Sequence, residues 1–143
     1  MCLTKTIKTM RTKRLKNTAS YGGKVLKMND DVYALRRKVL GVIYDAKKLV
    51  DLPRIEVRIV EGAKLEGQDS SIMGYAYMGK NIVHIEKKYV SVHPDTLIHL
   101  VLHEVLHAVK ATPHNDKCPL MHPIINNHPV SECWKIFESY FKK

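Results

Sequence analysis

The segment TLIHLVLHEVLHAVKA, residues 96–111, constrains this chain more than any other. Apolar residues fall on every side of its 3.6-residue period, so as a helix it has to lie inside the domain rather than on its surface. His103, Glu104 and His107 sit in the middle of it. Ionisable groups on a buried helix are costly unless they find partners. Whatever fold contains this helix must therefore supply partners for these three.

Two imidazoles four positions apart project from one helix face about one turn from each other. Such a pair can share a zinc ion at about 2.0–2.1 Å per bond. Glu104 is displaced by one position, so it points beside the metal rather than at it, where a base for a zinc-bound water belongs. The H-E-x-x-H pattern predicts a Zn²⁺ site with Glu104 as general base. The competing reading, satisfied core histidines with a solvent-facing glutamate, sits poorly on a helix flanked by LIHLVL and AV.

The rest of the chain predicts a small α+β domain. At 143 residues and 45% hydrophobic composition there is material for one core. NDDVYALRRKVLGVIYDAKKLVDLP places Val32, Leu35, Val39, Val42, Ile43, Ala46, Leu49 and Val50 at helical spacing, with Asn29 or Asp30 as N-cap and Pro53 past the end. RIEVRIV alternates Ile55, Val57 and Ile59 against Glu56 and Arg58, as a half-buried strand does, and EGAKLEGQDSS reads as a loop. Two further strands, Ile72 to Met78 and Asn81 to Glu86, fold back at GKN as a hairpin. The apolar helix follows, Thr96 to about Ala111, and a short helix from about Val130 to Phe141 closes the chain.

The net charge of +10 is concentrated at one end. Residues 1–27 carry eight Lys or Arg and no acid, whereas the other sixteen bases face all fourteen acids, a net of only +2. Residues 1–28 are therefore expected to form a basic, flexible tail and residues 29–143 the folded domain. Such a tail is suited to a nucleic acid or another acidic partner as well as to simple solvation. No run reaches the length of a membrane span, and the basic start lacks the apolar core of a secretory signal, so a cytoplasmic protein with no membrane partner is expected. Three widely spaced cysteines, Cys2, Cys118 and Cys133, suit a reducing compartment.

Residues His103 to Pro123 resemble the metzincin zinc proteases, of matrixin or archaemetzincin type, whose pattern is H-E-x-x-H-x-x-G-x-x-H followed by a methionine turn. His103, Glu104 and His107 match. CPLMHP is similar to the matrixin methionine turn, and Met121 lies 18 residues after His103, the matrixin separation. Lys110 stands where the family has glycine and Pro113 where it has the third histidine, which leaves His114 one residue late. A physical account is available: lysine resists the positive φ that glycine accepts, so Lys110 stays helical, and Pro113 ends the helix a residue further on. The resemblance implies a zincin-like domain with an edge strand in MGYAYMGKNIVHI. It further implies a zinc endopeptidase acting on peptide or protein substrates, with His103, His107 and His114 as ligands and Met121 as a supporting turn.

Other third ligands fit the spacing. Glu132 or Glu138 on the closing helix would make a gluzincin-like site; His122 or a Cys118 thiolate could also reach the metal. Asp116 is suited to tethering a ligand imidazole or capping the turn. His99, one turn before His103, reads as packing, and His84, His93 and His128 have no evident partner. A different class of function is a non-catalytic zinc-stabilised module that binds nucleic acid through the tail, its fourth metal position closed by Cys118 or a carboxylate. Glu104 separates the two classes, because a closed structural site has no use for a base beside the metal.

Overall fold

The computed structural model describes residues 2–3, 24–62, 73–123, 125 and 129–142. His128, most of the segment 1–28, and the expected loop at 61–71 beyond Gly62 lie outside the described residues. The elements are β1 (Cys2–Leu3), β2 (Lys24–Val25), α1 (Asp30–Leu49), β3 (Glu56–Glu61), β4 (Gly74–Ala76), β5 (Ile82–Glu86), a 3-10 turn (Lys87–Ser91), α2 (Pro94–Lys110) and α3 (Val130–Ser139). They form a mixed α+β domain around a sheet of order β1-β4-β5-β3-β2.

Asn29 is the N-cap of α1: its side-chain oxygen accepts from the Val32 N–H at 3.0 Å. From there Val32, Leu35, Val39, Val42, Ile43 and Ala46 turn one apolar face to the core. The expected strand at residues 54–60 is found as β3, with Ile55, Val57 and Ile59 buried against the helices. Its neighbour β5 runs parallel to it, Val57 opposite Val83 and Ile59 opposite Ile85. The hairpin is present, β4 antiparallel to β5 with Tyr75 opposite His84, although among the described residues β4 spans only Gly74–Ala76.

Two short strands fall within the segment expected to be a tail. β2 pairs with β3, Lys24 opposite Glu61, and the Leu26 N–H donates to the Ile59 carbonyl at 2.9 Å. Leu26 also packs against the core. Lys24 and Val25 thus belong to the sheet, as do Cys2 and Leu3. β1 pairs with β4 and forms the opposite edge.

Helix α2 is buried from Leu97 to Ala108 apart from half-buried Ile98, as its nearly all-round apolar pattern requires. The sheet and α1 cover one side, and Cys133 and Phe137 of α3 lie on another. Its start explains His93, which the sequence left without a partner: His93 is the N-cap, its Nδ1 accepts from the Asp95 N–H at 3.1 Å, and Pro94 takes the first helical position. Among the described residues no helix is long and apolar enough to cross a membrane.

On the second face of the sheet Tyr75, Tyr77, His84 and Glu86 are buried. The His84 ring stacks on Tyr75 at 4.1 Å between centroids, and burial pushes its pKa down to about 4. The unfolded imidazole protonates near pH 6.5, above the folded value, so this group's stabilisation is complete above about pH 6.5 and is lost as pH falls toward 4. Over that window the loss approaches about 3 kcal/mol. Urea titrations at pH 7 and pH 4.5 are expected to show a smaller acid loss in His84→Phe than in the parent; equal losses would exclude His84 as a source.

Candidate metal centre

The helix that holds His103 and His107 ends one turn later, and how it ends decides where His114 goes. Lys110 is the last helical residue, and Ala111 adopts the left-handed conformation, φ 52° and ψ 35°. The Ala111 and Thr112 N–H groups both turn back to the Leu106 carbonyl, Thr112 at 3.3 Å. The stop is therefore a left-handed residue one position after the glycine of the resembled pattern, ahead of Pro113 rather than at it. Lys110 stays helical as expected, and the strained conformation passes to alanine.

That strain is measurable. An L-residue in this region costs about 1–2 kcal/mol that glycine does not, offset in part by the greater freedom of glycine in the unfolded chain. Ala111→Gly is expected to raise stability by about 0.5–1 kcal/mol, read as a higher urea midpoint at unchanged slope. A lowered midpoint would contradict the left-handed assignment.

After the stop, the chain returns to the helix. The Asn115 N–H donates to the Met121 carbonyl at 3.0 Å, while the Asn115 side chain and carbonyl accept from Lys117 N–H at 2.9 Å and Cys118 N–H at 3.0 Å. Asn115 thus closes the loop and holds His114 inward, 8% exposed. An Asx turn in PHNDK was the available signal for this, and the sequence reading passed over it.

One ring nitrogen from each of His103, His107 and His114 joins a buried group whose members all lie within 4.8 Å of one another. His103 Nε2 lies 3.2 Å from His114 Nε2 and 3.0 Å from His107 Nε2. On the far side of its ring, His103 Nδ1 donates to the Leu120 carbonyl at 2.8 Å, and His107 Nδ1 donates to the Thr112 carbonyl. A carbonyl can only accept, so both Nδ1 atoms carry the hydrogen and both Nε2 atoms present lone pairs. Two lone pairs face each other at 3.0 Å, an arrangement that a metal ion bound by both nitrogens would stabilise. Burial pushes His103 down to about 3 and His107 well below its ordinary value, which favours the uncharged rings. Tetrahedral coordination at about 2.0–2.1 Å per bond places nitrogens about 3.3 Å apart, close to the spacing seen. Three buried imidazoles of this geometry can hold a metal ion.

Glu104 is fully buried, and neither carboxylate oxygen meets a hydrogen-bond donor among the described residues. Burial pushes its pKa well above the ordinary carboxylate value. Its neighbour is Gly74 on β4: a Cβ there would stand 3.6 Å from Glu104 Oε2 and 2.7 Å from the His84 carbonyl oxygen. Glycine at this position leaves the room that the carboxylate and the neighbouring strand β5 occupy.

The remaining candidates fall elsewhere. Among the described residues the group at metal-binding distance contains neither Glu132, Glu138, Cys118 nor His122. Met121 is fully buried in the core, and its turn acts through the main chain, Leu120 aiming His103 and Met121 holding Asn115. The tethers on His103 and His107 are thus main-chain carbonyls rather than Asp116, which is exposed. His99 is buried one turn before His103 and outside the group. Finally, the GKN turn docks on the end of α2. The Gly79 and Asn81 N–H groups, at residues of positive φ, donate to the carbonyls of His107 and Ala108, both at 3.3 Å.

The chain matches no family model, no curated protein and no solved structure. Residue chemistry and geometry carry the functional argument.

Proposed function

We propose that the protein is a zinc-dependent endopeptidase of metzincin-like design. One observation carries the reading: three buried imidazoles gather at metal-binding distance on and next to the helix that also carries Glu104, a buried carboxylate that has no hydrogen-bond donor among the described residues. A zinc ion bound there would supply Lewis acidity, lowering the pKa of a coordinated water and polarising a carbonyl. His103, His107 and His114 would hold it, the first two through Nε2, with their tautomers set by the Leu120 and Thr112 carbonyls. Glu104 accepts the proton of the attacking water and delivers it to the leaving amine. A carboxylate whose pKa is raised by burial is a stronger base than an ordinary one, and a bound dication nearby would favour its ionised form. The walls of α2 and β4 exclude bulk solvent from this exchange.

A closed, purely structural site would gain nothing from Glu104 and would carry its desolvation cost without return. A gluzincin-like arrangement needs Glu132 near the metal, and the gathered donors include His114 instead.

The direct test is metal content. Purified protein dialysed against trace zinc is expected to retain one zinc per chain by elemental analysis and to hydrolyse casein, with both lost on chelation and regained on adding zinc. Protein that binds no metal would overturn the reading.

A further inference from the structure

The outer face of α1 takes no part in the core or in the metal centre. Tyr33, Arg37, Gly41, Tyr44 and Lys48 recur along it at the spacing that puts them on one side of the helix, away from buried Leu35, Val39 and Ala46. Tyr33 and Tyr44 are 50% and 64% exposed, so neither ring is there to fill the interior. Each has a cation over it: Arg37 lies 5.6 Å from the centre of the Tyr33 ring and Lys48 4.7 Å from that of Tyr44. Three helical turns separate the two tyrosines, about 16 Å along the axis. Beside this stripe a groove of about 460 Å³ opens between α1 and Ile55. Leu40 and Tyr44 line it, and its charged residues, Arg37 and Lys47, are both cations.

Gly41 also lines the groove, in the middle of the helix. Glycine is the poorest helix former after proline, yet a Cβ at position 41 would meet nothing within 4 Å, so no contact among the described residues calls for glycine here. Its effect is to lay the main chain of α1 bare on the groove, where a ligand can come close.

We infer that this face of α1 binds single-stranded nucleic acid. Bases stack on Tyr33 and Tyr44, phosphates meet Arg37 and Lys47, and the bare main chain at Gly41 lets the strand lie close between the two rings. Charge selects the partner: no acid lines the groove, and Asp45, next to Tyr44, is paired with Lys48 at 3.7 Å. The eight bases of residues 1–27 precede α1 in sequence and add to the attraction for a polyanion. An acidic peptide would satisfy the cations but leave two exposed rings without a role, and a duplex keeps its base faces stacked inside. The site is separate from the metal centre and stands whether or not the peptidase reading does.

The test is fluorescence anisotropy of the full-length chain with fluorescein-labelled oligothymidine and oligouridine of about 16 nucleotides, beside a duplex of the same length and a polyglutamate peptide. Both single strands are expected to bind more tightly than the duplex. Tyr44→Ala is expected to weaken their binding at least about fivefold, the lower end of what one stacked base contributes, and Tyr44→Phe to keep it. Arg37→Ala combined with Lys47→Ala is expected to lower the slope of log affinity against log salt by about 1.4, for two lost phosphate contacts. Gly41→Leu is expected to lose binding while its urea midpoint rises, because leucine fills the approach and is the better helix former. That opposition separates blocked binding from damaged folding. Oligonucleotide affinity unchanged in all of these variants would place the contact elsewhere, on residues 1–27 for example, and overturn the site. Polyglutamate bound as tightly as the single strands, and weakened equally by Tyr44→Ala, would make the groove a site for acidic peptides and overturn the nucleic-acid assignment.

Discussion

Glu104→Gln is expected to leave zinc content and fold unchanged and to lower casein hydrolysis by about 10³-fold, within the 10²–10⁴ range that a positioned proton acceptor contributes. Glutamine matches the volume of glutamate, so the packing against Gly74 is kept. Its amide cannot accept a proton from water. The change also removes a buried carboxylate that lacks a donor, so stability should rise or stay level, the opposite of what loss of an ordinary core partner brings. Zinc analysis, urea denaturation and initial rates on one preparation separate the outcomes. Hydrolysis at the parental rate with zinc retained would remove Glu104 from the chemistry.

The second large effect concerns the third ligand. His114→Ala is expected to weaken zinc by more than about 100-fold, beyond the 10–100-fold that removal of a supporting partner costs, and His103→Ala and His107→Ala to do the same. Glu132→Ala and Glu138→Ala should leave affinity within about twofold, since neither carboxylate joins the three nitrogens among the described residues. Competition with a chromogenic chelator measures all five. A reversal, with Glu132→Ala releasing zinc and His114→Ala retaining it, would convert the site to the gluzincin type. Asn115→Ala provides an intermediate case: it breaks the side-chain half of the turn that closes the loop, and a loss smaller than that of His114→Ala is expected.

The parts of this fold that could be read in the sequence are those in which one residue's chemistry decides its neighbourhood. Periodicity gave α1 its buried stripe and α2 its burial, and alternation gave β3, because side-chain direction follows directly from helix and strand geometry. His103, Glu104 and His107 were legible for the same reason: all three ride on one regular helix. His114 was harder, because its position depends on a chain reversal, and reversals depend on which residue accepts positive φ. Pro113 drew attention as the stop, yet Ala111, the least conspicuous letter in the segment, takes the left-handed conformation. β1 and β2 were invisible because a two-residue strand carries no period, and its ordering comes from the partner edge rather than from its own composition. The role of Gly74 likewise appears only once β4 is set against Glu104.

The imidazoles of His103 and His107 are aimed by the carbonyls of Leu120 and Thr112, groups that every amino acid possesses. Heritable variation therefore acts unevenly on this centre. Neither ring is aimed by the side chain at 112 or 120, so substitutions there that fit the buried surroundings and keep the path of the backbone do not turn either ring. What drift cannot change is the count of residues between one reversal and the next: an insertion or deletion between 107 and 121 moves a carbonyl off its ring as surely as deleting a ligand. Descendants of this chain should accordingly diverge in the letters of the loop while its length stays fixed, and a comparison of kin by segment length would recognise the centre after comparison by residue identity had lost it.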